Sequence, residues 1–302
     1  MFTLPKWSRP SQWSRKKRLK VFGTLGIIVL AILFFLPPVR FPAGEVIRIK
    51  SGLSVGEAAQ RLSDQHIVRS PSIFKILMLG LAGNDGLVAG DYLLSHPMTV
   101  FEVVYRLSRG AYGMKATRVT IPEGSTNKEI ASILSKNLRQ ISASKFIELA
   151  KDKQGYLFPD TYFFLPTATE ADILETMENS FTRQIVIIQP QISRSRKNLA
   201  EVIIMASILE KELKPGKDRQ IAAGILWKRL DDGMKLQVDV AKETYKKEGL
   251  PLQPIASPGL DAIKAAVDPI ESPYWFYLSG KDGKTHFAIT HDEHVANKKK
   301  YL

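Results

Sequence analysis

The chain has 302 residues, with 43 Lys and Arg against 30 Asp and Glu, no cysteine and 44% apolar residues. That is enough hydrophobic mass for one or two folded cores, which excludes wholesale disorder. The missing cysteines exclude a disulfide framework, a thiolate zinc site, an iron–sulfur cluster and a cysteine nucleophile. A net charge of +13 invites a nucleic-acid partner, but Lys6, Arg9, Arg15, Lys16, Lys17, Arg18 and Lys20 supply about half of it before residue 21. The excess is a local tail, and no nucleic acid is expected.

Behind that basic tail, residues 1–20, runs an uncharged stretch over residues 21–39, VFGTLGIIVLAILFFLPPV. At about 1.5 Å per residue it would span roughly 28 Å as a helix, close to a bilayer core of about 30 Å. Its Leu-Pro-Pro-Val-Arg ending carries no small-x-small cleavage site, so an uncleaved transmembrane helix is predicted. The positive-inside rule puts the N-terminus in the cytoplasm and everything after Arg40 outside. Trp7 and Trp13 fit interfacial aromatics of such an anchor better than base-stacking residues.

An internal repeat follows at an offset of 72, matching Ile49 with Ile121, Gly52 with Gly124, Ser54 with Thr126, Glu57 with Glu129 and Leu62 with Leu134. Each copy predicts a short strand (46–49; 118–121), a glycine turn and an amphipathic helix opened by a capping box. A second short helix follows, opened by Ser72 or Ser144. Glu57 and Glu129 sit at the third helical position, where a carboxylate is a helix-start device. A further strand and capped helix are expected over 90–94 and 99–107, with counterparts at 160–165 and 169–177. Small βα units of this kind predict an α+β fold.

Helical periodicity then dominates up to a break at Pro190, followed by a basic loop over 194–197. Asn198 caps an apolar helix over 199–213, stopped by Pro215-Gly216, and a further helix covers 218–230. A strand over 234–238, a Pro-rich loop, a short helix over 260–267 and a hairpin of 274–279 with 285–289 complete the chain. The Lys298–Lys300 run reads as a solvated helix face. His66, His96, His286, His291 and His294 show no ligand spacing beyond a weak, surface-exposed His291/His294 pair, so neither metal nor cofactor is implied.

Within the helix over 199–213, Ile203, Ala206 and Glu210 fall at i, i+3 and i+7, placing Glu210 on the stripe that the apolar residues bury. Glu212 points roughly 200° away at about 100° per residue, toward solvent or a basic neighbour. A desolvated carboxyl has two readings. It is a buried ion pair with Lys211, Lys214 or Arg229, or it is a proton donor of the kind glycosidic cleavage needs.

MASILEKE (205–212), GYLFPDTY (155–162), VTIPEG (119–124), LQVD (236–239) and PIASPG (254–259) resemble, in content and order, the motifs of the endolytic murein transglycosylases, the MltG/YceG-like enzymes of bacterial cell-wall growth. With the basic tail and membrane helix, the resemblance spans nearly the whole chain. It implies a LysM-like module over about 44–109, a mixed α+β YceG-like catalytic region over 116–302, and a catalytic glutamate at Glu210. The chain departs from the family pattern at Gln154, where Glu is usual, at Glu243 and Ser257, where Asn is common, and in the short spacing from Asp239 to Glu243. That spacing implies a shortened part of the substrate groove.

The implied reaction cuts the β-1,4 bond between N-acetylmuramic acid and N-acetylglucosamine, leaving a 1,6-anhydro end. Gln237, Asp239 and Tyr245 are candidates for orienting sugar, or else structural, and Asp160 fixes a turn at the groove wall. The expected partners are peptidoglycan glycan strands and, at the cell membrane, synthesis enzymes of the penicillin-binding class. The alternative is a catalytically impaired peptidoglycan-binding anchor or scaffold.

Overall fold

The computed structural model describes residues 15–83, 86–195 and 197–302, with the side chains at 17 and 27–32 outside the description. The chain divides into two compact units, Met1–Lys115 and Ala116–Leu302.

The first unit contains α1 (Arg15–Phe35), β1 (Val46–Ile49), α2 (Val55–Asp64), α3 (Pro71–Ala82), β2 (Gly90–Leu93) and α4 (Val100–Arg109). β1 and β2 pair antiparallel, Val46 opposite Leu93 and Ile49 opposite Gly90. Alternation along β1 turns Ile47 and Ile49 inward, where Phe74, Met78, Tyr92 and Val104 complete a core with α2. α1 covers much of the predicted anchor. Its last residue, Phe35, stacks on Phe101 at 5.1 Å, and Arg69 donates to the Leu36 and Pro37 carbonyls. Among the described residues no helix is long and apolar enough to cross a membrane. Most of the basic tail and the side chains at the middle of the predicted span lie outside the described residues.

The second unit begins by repeating the first. β3 (Thr117–Thr120), α5 (Asn127–Asn137), α6 (Ala143–Leu149), β4 (Thr161–Phe164) and α7 (Glu170–Ser195) follow the same order, and β3 pairs antiparallel with β4. Ser54 with Glu57, and Thr126 with Glu129, form reciprocal capping boxes. Tyr92 and Tyr162 each donate a hydroxyl hydrogen bond to the carbonyl four residues back, Val88 and Phe158, at 2.7 and 2.6 Å. Burial raises both phenols, Tyr162 to about 12. The second short helices are capped by Ser70 and Ser142, two residues before the expected serines, because the side chains that accept from Ile73 and Lys145 N–H are those.

α7 runs through Pro190 rather than ending there. A proline inside a helix costs about 3 kcal/mol. Burying Ile188 and Ile192 on either side, at roughly 1.5–3 kcal/mol each, outweighs it. After α7 come α8 (Leu199–Glu212), α9 (Lys217–Asp231), a 3₁₀ turn (Lys242–Tyr245), α10 (Leu260–Val267), β5 (Phe276–Ser279), β6 (Thr285–Ala288) and α11 (His291–Tyr301). α8 is the centre of this unit, with every residue from Val202 to Leu209 buried. Trp227 of α9 donates its indole N–H to Ala266 O of α10 at 2.9 Å.

The strand expected over 234–238 is absent among the described residues. Arg229 Nη1 donates to Leu236 O, and Gln237 has φ +53°, so the segment is turned out of extended geometry and pinned by a side chain instead of a partner strand. His294 is half-buried rather than surface-exposed, stacked on Phe276 at 5.3 Å, and burial lowers its pKa.

Candidate active site

The last turn of α8 presents Glu210, Lys211 and Glu212 in succession, and each reaches a different segment. Glu210 is deeply set, its side chain 7% exposed. Its Oε2 accepts from the Gly259 N–H at 2.9 Å, and its Oε1 accepts from Arg219 Nη2 at 3.1 Å. The cation paired with Glu210 is therefore Arg219, and not one of the three basic residues weighed from the sequence. Lys211 donates to Gly124 O at 3.2 Å, Arg229 turns to Trp275 O and Leu236 O, and Lys214 is exposed. Arg219 reaches back from the first turn of α9 because Pro215-Gly216 folds that helix against α8. It is 1% exposed and also donates to Leu213 O and to Asp261 Oδ2, the latter at 3.0 Å.

Two loops close over Glu210. In VTIPEG the backbone turns at Gly124, φ +74°, where a Cβ would stand 3.5 Å from Glu210 Cγ and 3.3 Å from Lys211 Cδ. In PIASPG the Ile255 N–H donates to Ser207 Oγ of α8 at 3.0 Å. The loops are joined to each other, with Gly124 N–H donating to Ser257 O at 2.8 Å and Ser257 N–H to Ser125 O at 2.9 Å. At Gly259 any side chain would collide with the carboxylate of Glu123. GYLFPDTY supports the PIASPG loop, since Gly155 packs on Pro254 and on Ile203 of α8. Asp160 Oδ1 accepts from the Thr161 N–H and Asp160 O from the Ile121 N–H, tying the start of β4 to the end of β3.

Beside Lys211 the VTIPEG loop and α5 border an open surface hollow of about 380 Å³, lined by Glu123, Ser125, Glu129, Ser132 and Ile133. Glu123 is an exposed residue. Burial of its carboxyl, then the charge of Glu210, raises its pKa against the opposing pull of Arg219. Gln154, where the resembling family has Glu, accepts from the Asn127 N–H at 3.0 Å, a bond that either side chain could accept. Ser257 Oγ is buried and without a partner among the described residues.

Gln237, Asp239 and Tyr245 are exposed residues of one loop, and their contacts lead to Glu212 instead of Glu210. Tyr245 donates its hydroxyl to Asp239 Oδ1 at 2.8 Å, and the Val240 N–H donates to Glu212 Oε1 at 3.3 Å. Glu212 is thus not a solvent-facing residue, because this loop folds back over the end of α8. Burial, joined by the charge of Asp239, raises its carboxyl. Gln237 holds left-handed backbone geometry that costs a non-glycine residue of order 1 kcal/mol or more, a feature frequent at ligand sites.

Sequence reading missed Glu123, Arg219 and Asp261. Glu123 lay inside a quoted motif, while Arg219 carried no local signal, since nothing in Lys217–Gln220 distinguishes a buried guanidinium from an exposed one.

The profile of the YceG-like family matches residues 47–242 and 243–300. The endolytic murein transglycosylase of Bacillus subtilis strain 168 is 26% identical over 305 residues, covering 85% of this chain and 84% of that protein. The endolytic murein transglycosylase of Streptococcus pneumoniae R6 is 25% identical over 313 residues, covering 82% of this chain and 57% of that protein. A YceG-like protein from Listeria monocytogenes, solved by crystallography at 2.6 Å, superposes with a TM-score of 0.54 over 83% of this chain and 98% of its own, at 24% identity.

Proposed function

The chain belongs to the YceG-like family, and we propose that it is an endolytic murein transglycosylase in which Glu210 is the acid and base. The observation that carries this reading is the convergence of three motif segments on one nearly buried carboxyl. VTIPEG covers it at Gly124, PIASPG donates to it at Gly259, and MASILEKE supplies it.

Glu210 in its acid form gives its proton to the glycosidic oxygen as the bond from muramyl C1 breaks. The resulting carboxylate is received by two donors already in place, Arg219 Nη2 and the Gly259 N–H. Preorganised donors aimed at developing charge lower the barrier without reorganisation. The muramyl C6 hydroxyl then attacks C1 and returns its proton to Glu210, closing a 1,6-anhydro ring. The proton count balances, and no water enters the bond. A hydrolase would instead need a second carboxyl to activate water or attack the sugar.

Gln237, Asp239 and Tyr245 would orient more distant sugar units along the Glu212 side of the same helix end. The hollow beside Lys211 would accept the glycan on the other side. Residues 44–109 form the LysM-like module and 116–302 the catalytic region in this reading. The basic tail and the run over 21–39 make a single-pass anchor with the N-terminus in the cytoplasm, which would hold the enzyme beside penicillin-binding synthesis enzymes. A reporter fused after Leu302 should be active only in its exported form.

The Arg219–Glu210 ion pair favours one second reading, a glycan-binding scaffold in which Glu210 is purely structural. Digestion of purified glycan strands in heavy-oxygen water separates the two readings. Unlabelled muramyl ends, one water lighter than reducing ends, are expected. Label at muramyl C1 rejects the transglycosylase, and intact strands favour the scaffold.

A further inference from the structure

Arg219 and the Gly259 N–H both stabilise Glu210 as a carboxylate. They suit the moment after proton donation and oppose the state before it. Arg219 cannot shed its charge, so the acid form of Glu210 needs negative charge set against the guanidinium. Asp261 supplies part of this at 3.0 Å, but its side chain is 49% exposed and water screens it. Glu123 is the other carboxylate in the group. Its carboxyl lies against Gly259, the residue whose N–H holds Glu210, and among the described residues it has no ion-pair partner.

We propose that Glu123 is a positioning residue for the acid chemistry, a second carboxyl that keeps one proton on the Glu123–Glu210 pair in the presence of Arg219. The inference rests on Glu210 being the acid. The charged groups around the pair are Arg219 of α9, Asp261 of α10, Lys211 of α8 and Glu129 of α5. Lys211 also donates to Gly124 O and Glu129 closes its own capping box, so two cations, Arg219 and Lys211, face four carboxyls, Glu210, Glu123, Asp261 and Glu129. An excess of carboxyls over cations around Glu123 opposes its ionisation. Burial and the charge of Glu210 act on Glu123 in that sense, and repulsion between the two is mutual. Because Glu123 also lines the hollow beside Lys211, the stored proton sits at the edge of the space open to glycan.

The test is the pH–rate profile of the full chain on purified glycan strands. Glu123→Gln removes one negative charge and keeps the shape, so the alkaline limb of kcat/KM should move to lower pH by roughly one unit. Cleavage on that limb falls about tenfold at fixed pH, a larger loss than at acid pH. Glu123→Asp keeps the charge and should keep the limb nearer its original place. Asp261→Asn, an independent variant, should move it in the same direction by less. A limb that stays put in the folded Glu123→Gln and Asp261→Asn variants overturns the proposal. Loss of cleavage at every pH in a folded Glu123→Gln variant also overturns it, in favour of a direct chemical role. Failure of the underlying reading looks different, because then Glu210→Gln would still cleave.

Discussion

Residues 46–109 and 117–177 are two versions of one structural sentence, and the difference that bears on Glu210 lies at one turn. Both run strand, glycine turn, boxed helix, short helix, strand and helix, with the same tyrosine-to-backbone bond from the second strand. In the first, Gly52 at φ +75° has nothing within 4 Å of where a Cβ would be. In the second, Gly124 at φ +74° lies against Glu210 and Lys211. The residue before each glycine is Ser51 in one copy and Glu123 in the other. A turn that merely reverses the chain in one copy lies against Glu210 in the other. The two turns share their backbone geometry and differ in one side chain and one contact.

The strongest way to break this comparison is to remove what the second turn covers. Glu210→Gln should lower glycan cleavage by at least a hundredfold, within the roughly 10²–10⁴ expected of general acid–base catalysis, with the chain still folded because the amide keeps a hydrogen bond to Arg219. Cleavage assayed beside a thermal melt checks both parts. A rate above a tenth of wild type would move the acid role to another carboxyl.

A sharper comparison uses the glycines themselves. Gly52→Ala and Gly124→Ala place a Cβ at nearly the same positive φ, so each should lose of order 1 kcal/mol of stability. Only Gly124→Ala should also lose cleavage, by about tenfold or more, since with Glu210 as the proposed acid a displacement of a few tenths of an ångström impairs proton transfer. Denaturant melts and rates on the two variants decide it, and equal losses of activity would erase the distinction between the turns.

The smallest expected effect concerns the helices that close each copy. Val100 and Glu170 are both first residues of their helices and both 4% exposed, but one is apolar and the other charged. Glu170 is paired with Lys145 at 2.9 Å and accepts from the Ser142 N–H, and these contacts hold its carboxyl at about 2. Its stabilising effect is complete above about 4.5 and is lost as pH falls toward about 2, when the folded state must take up the proton. Melting temperature against pH should therefore decline less steeply across that window in Glu170→Gln than in wild type. An unchanged slope would assign the acid sensitivity elsewhere.

The legible parts of this molecule were those governed by neighbours in sequence. Capping boxes at Ser54 and Thr126, the α10 limits and the closing hairpin all follow from residues within a few positions of each other. Pro190 misled because a local rule met a long buried stripe that outweighed it. The 234–238 segment misled because alternation was present but no partner strand was. The surroundings of Glu210 were hidden for a different reason. Gly124 O to Lys211, Gly259 to Glu210 and Arg219 to Asp261 join residues 87, 49 and 42 positions apart. Periodicity could place a carboxyl on a buried face, but it could not say which guanidinium would be waiting there.

Three consecutive side chains at the end of α8 hold three separate stretches of chain: Glu210 the Gly259 loop, Lys211 the Gly124 turn and Glu212 the backbone at Val240. Fraying of that one helical turn would release all three together. The walls of the site therefore share one opening equilibrium, set by the stability of a single turn, and amide exchange in these segments is tied to it. Helix ends are ordinarily the first parts of a protein to loosen. Here Leu213, the residue just beyond the helix, is buried and its carbonyl is held by the fully buried Arg219, so the guanidinium beside Glu210 is also the clasp that keeps the assembly shut.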